Sequence, residues 1–173
     1  MRDPFTTIHH LEMTGPEAFR PGQPNPGLSV SLVDPPDPAV NRRFYSAVGA
    51  DWNWTDRLAW SDDDWRKYVC RDDLATYLGT MDGETIGYFE LERQGGSDIE
   101  IKYFGLLPAH IGRGLGGAFL SMAVRRAWEW PGARRVWVHT CTRDHENALA
   151  NYQKRGFTLF KTERAPDADP SDG

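Results

Sequence analysis

The chain has few cysteines and no long apolar run. Cys70 and Cys141 are its only cysteines, so it offers no disulfide framework, and such low usage is typical of a reducing compartment. No apolar stretch approaches the length needed to span a membrane, and the first ten residues, MRDPFTTIHH, lack the apolar centre of a signal peptide. We therefore expect a cytoplasmic protein with no membrane partner.

A dense block of positive charge is also missing. The 173 residues carry 20 Lys and Arg against 25 Asp and Glu, a formal net charge of −5. Because nucleic acid is bound mainly through clustered cations, this balance argues against a nucleic-acid partner. The length suits one domain. We predict a single domain over residues 1–165, with residues 1–27 as an N-terminal strand and loop extension and residues 166–173 as a disordered acidic tail.

Turn and cap signals divide the chain into alternating strands and helices. Apolar or alternating runs predict strands at residues 5–13, 28–34, 74–82, 84–93, 98–107, 134–140 and 157–163. Helices are predicted from Pro38 to about Val48, after the probable cap Ser61, from about Gly112 to Trp130, and from the cap Asp144 to about residue 155. Hairpins imply antiparallel strands first, and helical crossovers imply parallel strands later. This order predicts an α/β fold with a mixed sheet between helices.

The segment HIGRGLGGAFL places four glycines ahead of a predicted helix. Such a loop exposes backbone N–H groups at the positive end of the helix dipole, which suits a phosphate group. A P-loop is excluded because Gly116-Gly117-Ala118 supplies neither the lysine nor the hydroxyl that this site requires. A dinucleotide-binding fold is excluded because the loop follows the fourth core strand, and Arg134-Arg135 stands where an acid is needed.

Two blocks of sequence resemble the motifs of the GNAT N-acetyltransferases. Residues 104–116, FGLLPAHIGRGLG, resemble the acetyl-CoA-binding motif of that family, apolar-x-apolar-x-Pro followed by Gln/Arg-x-x-Gly-x-Gly/Ala and a helix. HENALANYQKRGF resembles the later block Asn-x-x-Ala-x-x-x-Tyr-x-x-x-Gly-Phe, in register at Ala148, Tyr152, Gly156 and Phe157. The resemblance covers roughly residues 99–162, and the order of elements extends it back to Leu28.

The resemblance implies a GNAT-type three-layer fold, with a mixed central sheet and helices on both faces. It also implies an acetyl-CoA-dependent N-acetyltransferase that acts on a primary amine, of a small molecule or a peptide, by direct transfer in a ternary complex. The competing hypothesis is a non-catalytic acyl-CoA-binding or regulatory module on the same fold, since a fold does not fix a function. A homodimer is compatible with either.

The resemblance also implies which residues bind acetyl-CoA, the co-substrate. They are Leu106, Leu107, Ile111, Gly112, Arg113, Gly114, Leu115, Gly116, Gly117, His145 and Tyr152. Ile111 stands where the family has Gln or Arg, and His145 stands where it has Asn. We expect weaker rather than lost binding, because backbone N–H groups do most of the cradling and Arg113 can partly replace the missing side chain.

Acyl transfer needs a polarised carbonyl and a proton for the leaving thiolate. The resemblance implies the backbone N–H of Leu106 for the carbonyl and the Tyr152 hydroxyl for the thiolate. The alternative for Tyr152 is a core aromatic on a helix face.

The amine must also lose a proton to a base. Glu100 is the first candidate, because the protein-lysine acetyltransferases of this family place a glutamate at its spacing from the glycine loop. The alternative is a solvent-facing Glu100 paired with Lys102. His139, on the adjoining strand, and Glu90 are rival bases.

The segment VGADWNWTDRLAW joins the two early helices, where the resemblance implies the acceptor wall. Trp52 and Trp54, beside carboxylates, suit a cationic amine, whereas Arg57 suits an acceptor carboxylate. His139 is also predicted to contact the acceptor. The alternative is a loop that packs its aromatic rings under the sheet. No metal is expected, because the spacing in HTCTRDH matches no standard zinc pattern.

Overall fold

A computed structural model of the chain describes residues 3–52 and 54–166. Seven strands form one sheet in the order β2-β3-β4-β5-β6-β1-β7. Their bounds are β1 Phe5–Met13, β2 Leu28–Leu32, β3 Leu74–Met81, β4 Glu84–Gln94, β5 Asp98–Leu106, β6 Arg135–Cys141 and β7 Thr158–Pro166. The helices are α1 Pro38–Gly49, α2 Asp62–Val69, α3 Gly116–Glu129 and α4 Ala148–Lys154, with 3₁₀ turns at Pro16–Ala18 and Pro108–His110.

The helices cover both faces of the sheet, which confirms the three-layer α/β fold. Successive residues of β4 show this, because Phe89 packs on Phe119 of α3 while Tyr88 packs on Phe44 of α1. Side chains of consecutive strand residues point to opposite faces. The α3 face holds the larger apolar core, to which Tyr152 of α4 also belongs.

Local signals predicted most element boundaries. The Asp37 side chain accepts a hydrogen bond from Ala39 N (3.0 Å), with Pro38 as the first helical residue of α1. Ser61 and Asp64 cap α2 reciprocally. Asp82 and Gly83 take the positive φ values, 52° and 79°, that a two-residue hairpin between β3 and β4 requires.

The N-terminal strand lies deeper in the sheet than an extension would. β1 runs antiparallel between β6 and β7, with Leu11 and Met13 buried. β6 and β7 therefore share one direction, as the crossovers predicted, but they are not neighbours. Among the strands of the described residues, only β5 and β6 pair in parallel.

Two helix starts were predicted wrongly. α3 begins at Gly116 rather than near Gly112, because Gly112 and Gly114 have φ values of 80° and 74°, which no α-helix contains. Asp144 is not the cap of α4. Its carboxylate instead accepts from Thr140 Oγ1 (2.5 Å) and Cys141 N (2.9 Å), closing a turn before the helix begins. Within the described residues no helix combines the length and apolarity needed to cross a membrane.

Candidate active site

A cleft opens where two parallel strands part. β5 and β6 pair only from Asp98–Arg135 to Ile101–Val138. Beyond these pairs a cavity of about 950 Å³ lies between the end of β5, the end of β6, the glycine loop and α4. Clefts of this size hold cofactors and small substrates.

The edge of β5 offers a hydrogen-bond donor to this cleft. Leu107 N donates to Ile86 O of β4 (2.7 Å). Because successive N–H groups of a strand point to opposite edges, the Leu106 N–H points away from β4, and Leu106 lines the cleft. Leu107, in contrast, is absent from the cleft lining, and its side chain packs toward the α1 core. The prediction that Leu107 contacts acetyl-CoA is therefore not supported by its position.

The glycine loop presents backbone N–H groups to the cleft. Most of the predicted loop residues line it: Ile111, Gly112, Gly114, Leu115, Gly116 and Gly117. The first turn of α3 has no side-chain cap, so its N–H groups remain available to an anion. Arg113, the predicted replacement for the polar side chain that Ile111 lacks, is exposed and does not line the cleft.

Arg155, at the end of α4, is a cation that the sequence analysis missed. Its NH1 lies 2.8 Å from the position that a Cβ on Gly117 would take, beside the first turn of α3. Its Nε is buried without a hydrogen-bond partner, and no carboxylate of the described residues pairs with it. A cation at the positive end of a helix is unfavourable unless an anion binds there too. The loop and Arg155 together fit a phosphate group.

Tyr152 borders both the core and the cleft. Tyr152 is 7% exposed, its ring centroid lies 5.8 Å from that of Phe157, and the residue lines the cleft. Burial, and secondarily the charge of Asp144, raise the pKa of the Tyr152 hydroxyl above its ordinary value of 10.0. The hydroxyl therefore keeps its proton at neutral pH.

Glu100 lies behind two residues that line the cleft, Lys102 and His139. The carboxylate is 2% exposed and does not line the cleft. Its Oε2 accepts from Gln94 Nε2 (2.7 Å) and lies 3.6 Å from Lys102 Nζ, whereas its Oε1 lies 3.2 Å from His139 Nδ1. His139 lines the cleft, with 44% of its side chain exposed. This position corrects the prediction that Glu100 itself meets the acceptor amine.

Arg57 was predicted to contact the acceptor, but the structure buries its side chain outside the cleft. The residue is 4% exposed, and its NH1 lies 3.2 Å from Oε1 of Glu90, which is fully buried. This pair lies under α2, and Glu90, a rival base in the sequence analysis, does not line the cleft either. The residues that do line the cleft here form what we call the acceptor wall: Trp52, Trp54, Thr55 and Asp56.

The acceptor wall is held by ring contacts to both sides of the cleft. The Trp54 ring lies 4.9 Å from Tyr103 of β5, and the Trp52 ring lies 5.4 Å from His145, just before α4. His145 lines the cleft, as predicted, but its Nδ1 accepts from Asn147 N (3.1 Å).

Comparison with known proteins identifies the family. The model of the acetyltransferase (GNAT) family matches residues 40–157, about two thirds of the chain. The chain belongs to the GNAT family. No curated protein sequence matches it.

Solved structures show the fold of this GNAT chain. A Gcn5-related N-acetyltransferase from Kribbella flavida superposes with a TM-score of 0.65 at 20% identity, over 90% of this chain and 55% of that one. A spermidine N-acetyltransferase from Vibrio cholerae, in complex with CoA and spermine, gives 0.62 at 16% identity, over 78% and 82%. An aminoglycoside acetyltransferase from an uncultured soil sample gives 0.57 at 22%, over 73% and 89%. This GNAT chain thus spans little more than half of the Kribbella protein.

Charge in the cleft of this GNAT protein is divided. Lys154 and Arg155, at the end of α4, have no carboxylate partner among the described residues, and both line the cleft. Asp56 lies on the acceptor wall, and Glu146 lies just before α4. Neither has a cationic partner in residues 3–52 and 54–166. The end of α4 therefore attracts anions, whereas the rest of the lining carries both signs of charge, since Lys102 and Arg143 line the cleft as well. In the same ranges, no group of three or more His, Cys, Asp or Glu is arranged to hold a metal ion.

Proposed function

We propose that this GNAT protein transfers the acetyl group of acetyl-CoA to a primary amine by direct transfer in a ternary complex. One observation carries the proposal. A single cleft joins the glycine loop, the Leu106 N–H, the protonated Tyr152 hydroxyl and an aromatic acceptor wall. A module that only binds acyl-CoA would not need a buried tyrosine, an exposed histidine and an acceptor wall around the same space.

The residues of the cleft account for each part of the transfer. The loop N–H groups and Arg155 bind the phosphates, and the Leu106 N–H donates to the thioester oxygen as negative charge develops on it. The amine nitrogen forms the new bond to the carbonyl carbon while the carbon–sulfur bond breaks. Tyr152 gives its proton to the leaving sulfur, and His139 takes the proton that the amine loses. Solvent then returns a proton to Tyr152, so the products are an amide and a free thiol.

Direct transfer is favoured over a covalent acyl-enzyme. Cys141 is the only cysteine that lines the cleft in the described ranges. Burial, and secondarily Asp144, raise the pKa of the Cys141 thiol above its ordinary value of 9.0. Since the thiolate is the nucleophile, a thiol kept protonated makes a poor acyl carrier.

The acceptor end of the cleft favours an amine that carries a further positive charge. Indole rings of Trp52 and Trp54 beside the unpaired Asp56 and Glu146 suit a cation, through cation–π contact and charge. Arg57 pairs with Glu90, so it is not available to an acceptor carboxylate. Two of the structurally similar proteins are named as acetyltransferases of spermidine and of aminoglycosides, which are cationic amines. For this chain, the same class of acceptor is a proposal.

Turnover on a panel of amines tests the proposal. The purified chain is incubated with acetyl-CoA and with diamines, polyamines, aminoglycosides, neutral monoamines and peptides, while free thiol is measured and products are identified by mass. Thiol release matched by an N-acetylated amine, with cationic acceptors preferred, supports it. Thermal stabilisation by CoA without turnover on any amine would support the non-catalytic module instead. The molar mass in solution would test the predicted homodimer.

A further inference from the structure

Arg57 occupies a box of aromatic rings in the interior of the protein. Its Cζ lies 3.9 Å from the ring centroid of Tyr68 and 4.2 Å from that of Tyr103. Three further rings lie within 5.8 Å: Trp60, Trp65 and Tyr45. Five rings around one guanidinium exceed what an ordinary cation–π pair provides.

The box also contains the countercharge. The carboxylate of Glu90, in the middle of β4, accepts three hydrogen bonds. The donors are Arg57 NH1 (3.2 Å), the Tyr68 hydroxyl (2.7 Å) and Asn41 Nδ2 (3.0 Å). Burial acts to lower the pKa of Arg57, but Glu90, Tyr68 and Tyr103 together raise it by more, so the net change is upward and the guanidinium stays charged. A buried pair of this kind is costly to break, because either partner alone would be an uncompensated charge.

The segment that carries Arg57 is held by ring contacts and single hydrogen bonds rather than by regular secondary structure. Residues 50–61 form neither helix nor strand in their described part, so no regular ladder of backbone hydrogen bonds fixes them. The Arg57 backbone N–H tethers the segment to α1 by donating to Tyr45 Oη (3.1 Å), and the Arg57 carbonyl closes a local turn by accepting from Trp60 N (3.1 Å). The acceptor wall lies immediately before Arg57 in the chain.

The box and the acceptor wall share a ring. Tyr103 meets Trp54 of the wall edge to face at 4.9 Å, contacts Arg57 in the box, and itself lines the cleft. Asp56 points into the cleft while its neighbour Arg57 points into the box. The buried side chain of Arg57 thus anchors the chain directly after the last residue of the acceptor wall.

We propose that Arg57 is a positioning residue for the acceptor. It touches neither acceptor nor acetyl-CoA, but by filling the box it fixes the acceptor wall against β5. This inference rests on the proposed function, since it assigns the wall to the acceptor. Its consequence is selective: loosening Arg57 weakens binding of the amine and leaves the distant glycine loop as it was.

The test uses a charge-balanced double variant, Arg57→Met with Glu90→Gln. Arg57→Met alone would leave Glu90 buried and unpaired, whereas the double variant keeps side-chain volume and removes both charges. We expect the acceptor KM to rise by about tenfold or more, because small displacements of a positioning group cost that much, while the CoA Kd changes less than about twofold. Arg57→Lys, which keeps the charge but not the planar stacking, is expected to restore part of the loss.

Arg42→Met is the matched control. Arg42 of α1 pairs with Asp62 of α2 on the surface, so its removal also breaks an arginine–carboxylate contact beside this segment, and we expect no change in acceptor KM. Equal changes in acceptor KM and CoA Kd in the double variant, together with a lowered Tm, would overturn the proposal in favour of a general structural role.

Hydrogen exchange separates this inference from the proposed function. We expect the amides of Trp52 and residues 54–56 to exchange faster in the double variant, while those of α3 keep their protection. Unchanged exchange in the wall would overturn the positioning role even if no acceptor amine were found. Failure of every amine to react, with the wall loosened as expected, would contradict the proposed function alone.

Discussion

Glu100 Oε1 lies 3.2 Å from Nδ1 of His139, which couples a buried carboxylate to an imidazole at the cleft. An Nδ1–H that donates to Glu100 leaves the lone pair on Nε2 free to accept a proton. Glu100 does not line the cleft, and its contact with Nδ1 adds to the ring contacts of His10 and Trp137 that orient His139.

Replacing His139 should remove the base. We expect His139→Asn to lower kcat by about 10²- to 10⁴-fold and to flatten the acidic limb of the pH–rate profile, since that limb reports protonation of the base. Glu100→Gln should keep the limb with a smaller fall in kcat, because an amide oxygen still accepts from Nδ1–H. If both variants keep the wild-type rate and the acidic limb of the pH–rate profile, that limb reports ionisation of the amine substrate itself.

Replacing Tyr152 should separate chemistry from binding. Tyr152→Phe keeps the ring in the core, so the CoA Kd and the Tm should stay unchanged while kcat falls by about ten- to ten-thousand-fold. Because burial raises the pKa of this hydroxyl above 10.0, wild-type kcat should show no loss from its ionisation below pH 10. A Phe variant with full kcat would assign Tyr152 to packing only.

Arg155 should contribute more to CoA binding than the loop's own arginine. We expect Arg155→Met to raise the CoA Kd by about tenfold, the loss of one charge-assisted phosphate contact, and Arg113→Met to change it little. Titration calorimetry at two salt concentrations measures both, and the salt dependence should weaken only in the Arg155 variant. The reverse order of effects would restore Arg113 as the replacement for the side chain that Ile111 lacks.

The buried Tyr88 hydroxyl should lower the free energy of unfolding. Tyr88 is fully buried, and its hydroxyl has no hydrogen-bond partner in the described residues. We expect Tyr88→Phe to stabilise the fold by about 1–2 kcal/mol, since a buried polar group without a partner carries that penalty. Tyr68→Phe, which deletes the 2.7 Å bond to Glu90, is the control and should destabilise. Urea unfolding measures the stability of both variants. A Tyr88→Phe variant less stable than the wild type would show that the hydroxyl has a hydrogen-bond partner in solution.

Local chemistry made much of the fold predictable. Asp37-Pro38, Ser61 and Asp82-Gly83 each act within a few residues, so a helix start or a turn can be read from adjacent letters. The glycine loop and Tyr152 were placed by two motifs of fixed spacing. The position of β1 was not predictable in this way, because pairing with both β6 and β7 joins residues more than a hundred positions apart.

The errors in the site share the same origin. Arg57 was assigned to the acceptor because the resemblance places the acceptor wall in its segment, whereas its partner Glu90 lies 33 residues away on another element. Arg155 lay inside a recognised motif, yet only the packing of α4 on α3 shows that its guanidinium approaches Gly117. A signal for Glu100 did exist: β5 and β6 pair in parallel, which places Glu100 beside the strand that carries His139.

The fate of a labelled acetyl group tests direct transfer to an amine most directly. The chain is incubated with acetyl-CoA labelled in the acetyl carbon, first alone and then with a cationic amine that supports thiol release, and protein and small molecules are separated at each stage. We expect no label on the protein in the first stage and, in the second, label on the amine in amounts equal to the thiol released. Label retained by the protein before the amine is added, and then chased into the amine, would contradict direct transfer in a ternary complex.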